Sequence, residues 1–75
     1  MRDHFVTFGQ QHVHRVCGQT LDCDTVAVFK AKSSDDGREK AFEIFGSAFC
    51  LEYHEPFWDY ESIKYFPRGY VYLNI

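Results

Sequence analysis

A helical repeat of apolar positions lies near the middle of the chain. Ser33 or Ser34 can cap the start of a helix here, and Gly46 can adopt the left-handed conformation that ends one. The pattern therefore predicts a helix over residues 34–45. Four positions at spacings i, i+3, i+4 and i+7 share one face of it, of which the last three form an apolar stripe expected to face a sheet: Arg38, Ala41, Phe42 and Phe45.

Alternating apolar and polar residues predict strands on both sides of this helix. Residues 25–31 form a β-branched and aromatic run, which is typical of a central strand. Residues 12–16 read as a short extended piece that is followed by turn chemistry at residues 17–20. The prediction is an α+β fold of ββαββ order, with one helix packed on an antiparallel sheet. Its four strands are expected at residues 4–8, 25–31, 49–54 and 70–75.

Two segments after the helix, residues 49–54 and 66–75, add detail to this prediction. Residues 66–69 contain Pro and Gly and predict a tight turn into the final strand. Alternation in that strand predicts that Val71, Leu73 and Ile75 face the core, while the two tyrosines between them lie outside. Residues 49–54 alternate in the same way, which places Glu52 and His54 on one face.

Composition limits the chain to a single domain, residues 1–75, because 75 residues support one hydrophobic core. A hydrophobic share of 45%, with 19% aromatic residues, suffices for that core. Three cysteines are an odd number without a disulfide framework, and they favour reduced thiols in a cytoplasm. No signal peptide is expected at the amino terminus, and no apolar stretch approaches the length of a membrane span.

Residues 12–24 hold the densest set of side chains able to bind a metal. Imidazole and thiolate are the ligands that zinc prefers, and four of them can form a tetrahedral site. The spacing matches no established zinc motif, because His-x-His and Cys-x5-Cys replace the usual paired steps. The sequence therefore favours histidines on a sheet rim and thiols packed as small hydrophobes, and no cofactor is expected. The alternative is a zinc module that uses His12, His14, Cys17 and Cys23, with Asp24 beside them.

No arrangement typical of an enzyme appears in the chain. It lacks a nucleophile elbow, a glycine-rich phosphate loop and paired carboxylates on a helix face. A domain of this size also rarely encloses the pocket that small-molecule enzymes use. The sequence therefore predicts a protein that is not an enzyme.

The segment from Glu52 to Glu61 combines acidic and aromatic side chains without any Lys or Arg. Trp and Tyr are frequent hot spots of protein interfaces, and a negative rim steers a surface towards a basic partner. The segment therefore indicates a partner-binding loop. The alternative is that Phe57 and Trp58 fold back to cover the core. The predicted binding residues are Glu52, Glu55, Phe57, Trp58, Asp59, Tyr60 and Glu61.

A nucleic-acid surface is a further alternative. Arg68 has the aromatic neighbours Tyr65, Phe66 and Tyr70, and such a set can stack on single-stranded nucleic acid. Eight basic residues against 11 acidic ones give a net charge of -3, which argues against binding through phosphate contacts.

Several short motifs resemble a group of small, mostly uncharacterised bacteriophage proteins: Phe8-Gly-Gln10, His12-x-His14, Gly18-x-Thr20, Asp22-x-Asp24, Gly37-Arg38, Ala41-Phe42-Glu43, Phe45-Gly46 and Tyr65-Phe-Pro-Arg-Gly69. The resemblance implies a location in the cytoplasm of a bacterial host and supplies no catalytic residue or cofactor. It also implies a protein that binds and blocks a host protein, as anti-CRISPR and other anti-defence inhibitors do. The expected partner is then a host protein with a basic surface, such as a defence effector that handles nucleic acid. Pairing of an exposed edge strand with that of a second copy would give a homodimer.

Overall fold

The chain forms a four-stranded sheet, a separate two-stranded hairpin and one α-helix. The computed structural model describes all 75 residues. Its α+β class confirms the prediction from sequence. The elements in chain order are β1 (Arg2–Thr7), β2 (His14–Val16), β3 (Gln19–Leu21), β4 (Thr25–Ala31), α1 (Ser34–Phe45), β5 (Leu51–His54), a 3-10 helix (Tyr60–Tyr65) and β6 (Gly69–Tyr72).

The four-stranded sheet has the order β5-β1-β4-β6 and mixed strand directions. β1 is antiparallel to both β4 and β5, whereas β6 is parallel to β4. The predicted antiparallel sheet is therefore wrong for the last strand. The physical reason is the path of residues 55–68, which cross the whole sheet from one edge to the other instead of turning back in a hairpin.

Helix α1 has the predicted bounds. The Ser33 hydroxyl accepts a hydrogen bond from the Asp36 amide at 3.1 Å, and Gly46, at φ 63°, donates its amide to the Phe42 carbonyl at 2.9 Å. The predicted apolar stripe is wrong at Phe42, which is 45% exposed. The face that contacts the sheet runs instead through positions i, i+4 and i+8, which are Gly37, Ala41 and Phe45.

Both faces of the sheet are covered. We call the side under α1 the helix face and the side under residues 55–68 the loop face. Strand alternation sends Val6 of β1 to the helix face and Phe5 to the loop face. The helix-face cluster contains Val6, Phe8, Leu21, Ala27, Phe29, Ala41, Phe45 and Leu73. The loop-face cluster contains Phe5, Val26, Val28 and Trp58, against which Tyr53, Ile63, Phe66 and Tyr70 pack.

β4 is central, as predicted, because it pairs with β1 on one side and with β6 on the other. In β6 and the residues after it, Val71 and Leu73 lie on the helix face as expected. The prediction is wrong for Ile75, which is exposed, and for Tyr70, which packs into the loop-face cluster. Tyr70 is partly buried because the crossing segment covers this face beside it, whereas Tyr72 is exposed, as predicted.

The hairpin of β2 and β3 departs from the predicted turn at residues 17–20. Only Cys17 and Gly18 form the turn, with positive φ values of 52° and 76°, as two-residue hairpins require. Gln19 already pairs with Val16. The tight turn predicted at residues 66–69 is confirmed by the Gly69 amide, which donates to the Phe66 carbonyl at 2.9 Å. None of the helices has the length and apolarity needed to cross a bilayer.

Candidate functional site

Trp58 lies inside the loop face and not on its surface. Its side chain is 6% exposed and stacks on Phe5, with ring centroids 5.0 Å apart and planes 12° apart. The indole Nε1–H donates to the Tyr70 hydroxyl at 2.9 Å, so its polar atom is satisfied. This side chain therefore has almost no free surface with which to anchor a partner. Trp58 instead covers the core, as the alternative interpretation had it.

The aromatic neighbours of Trp58 are exposed. Phe57 is 80% exposed, because it follows the turn that begins at His54, whose carbonyl accepts the Phe57 amide at 2.8 Å. Tyr60 is 52% exposed and rests edge-on against Phe5, at 5.6 Å between ring centroids. Two of the three predicted aromatic anchors thus lie where another protein can reach them.

A hydrogen-bonded chain holds the Tyr60 ring in place. The Tyr60 hydroxyl donates to Glu55 Oε2 at 2.7 Å, and Glu55 Oε1 accepts the Asp3 amide at 3.0 Å. The hydrogen bond from Tyr60 lowers the pKa of the Glu55 carboxyl, and the Asp3 amide adds to this effect. The same bond to Glu55 raises the pKa of Tyr60 to about 12. Tyr60 therefore stays a neutral donor, and Glu55 links the segment to the start of β1.

Asp59 and Glu61 supply negative charge beside these rings. The Asp59 carboxylate accepts the Glu61 amide at 3.0 Å and so begins the 3-10 helix. Both residues are exposed, and neither takes part in any of the ion pairs of the molecule. We call Phe57, Asp59, Tyr60 and Glu61 the 57–61 surface.

Glu52 does not belong to this surface. Its side chain lies on the helix face, where Oε1 is 2.6 Å from His4 Nε2. Alternation in β5 directs it away from residues 57–61, so the structure does not group it with the other predicted binding residues.

A pair of buried histidines lies beside Glu52. His4 is fully buried, and its Nδ1 is 3.0 Å from Nδ1 of His54, which is also buried. The pairing arises because β1 and β5 place the two residues opposite each other. Burial lowers the pKa of His4 below its ordinary value of 6.5, and this effect outweighs the opposing charge and hydrogen bond of Glu52.

Sequence reasoning missed this pair. The available signal was that alternation places Glu52 and His54 on one face of β5. Alternation also places His4 on the same face as Val6 and Phe8 in the strand predicted at residues 4–8. The alternation within each strand can be read from local sequence. The pairing of two strands 50 residues apart cannot.

The four side chains of the zinc alternative do not converge. His12 Nδ1 accepts the Gly9 amide at 3.2 Å, while His14 Nε2 donates to the Ala48 carbonyl at 2.7 Å. Cys17 is exposed in the hairpin turn, and the Cys23 thiol is oriented towards Asp24. No group of three or more His, Cys, Asp or Glu side chains is arranged so that it could hold a metal ion. The structure therefore does not assemble the zinc site of the alternative interpretation.

Arg68 is engaged within the molecule. Its guanidinium pairs with Asp22 at 2.9 Å and also donates to the Thr20 carbonyl at 3.4 Å, which joins the hairpin to the turn before β6. Of its aromatic neighbours, Phe66 and Tyr70 pack into the loop-face cluster and only Tyr65 is largely exposed. The stacking platform of the nucleic-acid alternative is therefore not assembled.

No protein-family model, curated protein or solved structure matches this chain. The function must accordingly be argued from the geometry of its own residues.

Proposed function

We propose that this chain is a non-enzymatic binding protein whose 57–61 surface contacts a basic surface on another protein. The observation that supports the proposal is the combination of two exposed aromatic rings with two acids that form no ion pair. Isolated exposed apolar residues are ordinary on protein surfaces. Here the two exposed rings and the two acids lie within five residues of the chain, on a segment that is held in place by the buried side chain of Trp58.

The support beneath the surface favours binding. Trp58 fixes the segment to Phe5, and Glu55 fixes Tyr60. A ring already held in position loses little conformational freedom on association, so more of its contact free energy appears as affinity. Rigid aromatic side chains of this kind are typical interface anchors.

The charge of the surface selects the partner. Asp59 and Glu61 attract a positively charged patch and repel an acidic one. With the resemblance to small phage proteins, the proposal becomes more specific: the chain binds and inhibits a bacterial host protein in the cytoplasm, and a nucleic-acid-handling defence effector such as a CRISPR nuclease is the preferred target. Covering its nucleic-acid groove would block it without any chemistry.

The proposal is tested by affinity capture from a bacterial lysate, followed by titration of the captured protein. In the variant Phe57→Ala/Tyr60→Ala we expect binding weakened about 30-fold or more, since hot-spot truncations cost about 2 kcal/mol or more. Charge reversal in Asp59→Lys/Glu61→Lys should weaken binding most at low salt, where charges are least screened.

Two exposed residues outside the surface provide matched controls. Tyr65→Ala removes an aromatic ring from the end of the same 3-10 helix, and Glu43→Lys reverses a charge on the outer side of α1. Both should bind within about threefold of the wild type, because rim and remote residues contribute little. Equal losses in control and surface variants, or full binding by both surface variants, would refute the proposal.

A further inference from the structure

We propose that the buried pair His4–His54 is a proton-sensitive contact that holds α1 on the sheet: it is stable with one proton between the two facing Nδ1 atoms, and it breaks when both rings become charged. This inference is independent of the proposed binding function. It follows from the hydrogen positions that the distances require.

Each contact in the network needs one proton. His4 Nε2 donates to the Glu52 carboxylate at 2.6 Å, so a neutral His4 ring has a lone pair on Nδ1. That lone pair accepts the Nδ1–H of His54 at 3.0 Å. His54 can take a further proton on Nε2 with both hydrogen bonds kept. A second added proton would occupy His4 Nδ1, and two N–H donors would then face each other across 3.0 Å.

The His4 ring cannot turn away from this conflict. Gly37 of α1 lies so close to it that a Cβ atom at that position would overlap the imidazole. The Phe29 ring of β4 lies on another side, with ring centroids 5.4 Å apart. Any reorientation of His4 must therefore displace α1.

The charged groups around the pair are few. β5 contributes Glu52 and His54, and α1 contributes Asp36, while β4 presents the uncharged Phe29. Asp36 is already occupied by the Lys32 amide at 2.9 Å and by the Lys40 ammonium at 3.6 Å. Glu52 is therefore the only carboxylate that is hydrogen-bonded to the pair.

Solvent reaches the network at Glu52. This residue is partly exposed and lines a cleft of about 240 Å³ between α1 and the start of β5, together with Arg38, Phe42, Phe49, Cys50 and Leu51. The cleft gives solvent access to the Glu52 side of the contact.

The direction of the pH effect follows from the lowered pKa of His4. In the unfolded chain this ring takes its proton near the ordinary value of 6.5, whereas the folded state resists protonation until lower pH. The stabilisation provided by neutral His4 is therefore fully present above pH 6.5, and it is lost as the pH falls below that value. We therefore expect α1 to be less firmly held on the sheet below pH 6.5.

Amide hydrogen exchange by NMR on the wild-type protein tests the proposal. The ratio of α1 to β4 exchange rates removes the intrinsic dependence of exchange on pH. Between pH 7.5 and pH 5 we expect this ratio to rise by more than about twofold, because the state with α1 released binds more protons and gains population as the pH falls. A ratio constant within twofold would overturn the proposal.

His54→Gln isolates the pair. A glutamine amide can donate to neutral His4 and can also present its oxygen to a charged His4, so the conflict between two donors disappears. We expect the pH dependence of the ratio to vanish in this variant and to persist in the control His12→Gln, which lies outside the network. An unchanged rise in His54→Gln would contradict the proposal. If that variant does not fold, the histidine ¹⁵N shifts of the wild type decide: both rings charged while α1 stays protected would refute it.

Discussion

The two faces of the sheet are stabilised by different chemistry. On the helix face, an apolar cluster surrounds the ionisable network of His4, His54 and Glu52. On the loop face, aromatic rings pack around Trp58, and its indole N–H donates to the neutral Tyr70 hydroxyl. The helix face should therefore respond to protons, whereas the loop face should respond to loss of aromatic volume.

The largest effect is expected from Trp58→Ala, which empties the centre of the loop face. Truncation of a buried Trp costs about 3–5 kcal/mol, because contacts are lost and a cavity remains. The adjacent substitution Phe57→Ala removes an exposed ring and should change the free energy of unfolding by no more than about 0.5 kcal/mol. Urea denaturation followed by circular dichroism measures both values. Similar losses of unfolding free energy in Trp58→Ala and Phe57→Ala would contradict the assignment of Trp58 to the core and Phe57 to the surface.

A smaller but still clear loss is expected from Gly37→Ala on the helix face. Alanine improves helix propensity by about 1 kcal/mol. The overlap with His4 opposes this, since overpacking costs about 1–3 kcal/mol and a broken buried hydrogen bond costs about 1–3 kcal/mol more. We expect a net destabilisation of about 2 kcal/mol, measured by urea denaturation at pH 7.5.

Glu39→Ala on the outer side of α1 is the control for Gly37→Ala. It replaces one good helix former by another at an exposed position, so a change within about 0.5 kcal/mol is expected. A stabilised Gly37→Ala protein would show that the helix does not press on the imidazole.

Tyr70→Phe tests the hydrogen bond between Trp58 and Tyr70 on the loop face. It leaves the Trp58 indole N–H without an acceptor, which costs about 1–2 kcal/mol. Tyr72→Phe removes the hydroxyl of an exposed tyrosine on the same strand and should have almost no effect. Equal results for the two tyrosines would mean that the Trp58–Tyr70 bond contributes nothing to stability.

Tyr60 should give the smallest effect on stability and a clear spectroscopic one. Its pKa of about 12, raised by the bond to Glu55, predicts one tyrosine that ionises well above the ordinary value of 10. Because the folded pKa is the higher one, the stabilisation is present below pH 10 and is lost as the pH rises towards 12. Ultraviolet titration should show this late component in the wild type and not in Tyr60→Phe. Its presence in both proteins would assign it to another tyrosine.

Local features of the fold could be predicted from the sequence because local chemistry determines them. Ser33 and Gly46 cap the two ends of α1, and the bounds of the helix followed from them. The alternation of β5 was also readable, although which of its faces lies under α1 was not. The direction of β6 could not be predicted, because it depends on the crossing of residues 55–68 over the sheet.

The candidate site divides in the same way. Acidic and aromatic residues identified the segment that carries the 57–61 surface, but composition could not separate the buried Trp58 from the exposed Phe57. That difference arises from a stacking partner, Phe5, more than 50 residues away in the chain. The histidine pair escaped prediction for the same reason, since it depends on the register between β1 and β5.

Fluorescence quenching of Trp58 tests most directly the central claim that this residue is an internal support beneath an exposed binding surface. It is the only tryptophan of the chain, so acrylamide quenching reports on it alone. The structure predicts quenching several-fold weaker in the native protein than in urea, and unchanged when a partner binds at the 57–61 surface. Strong quenching of the native protein, with protection on partner binding, would show that Trp58 is itself part of the interface and would contradict this description.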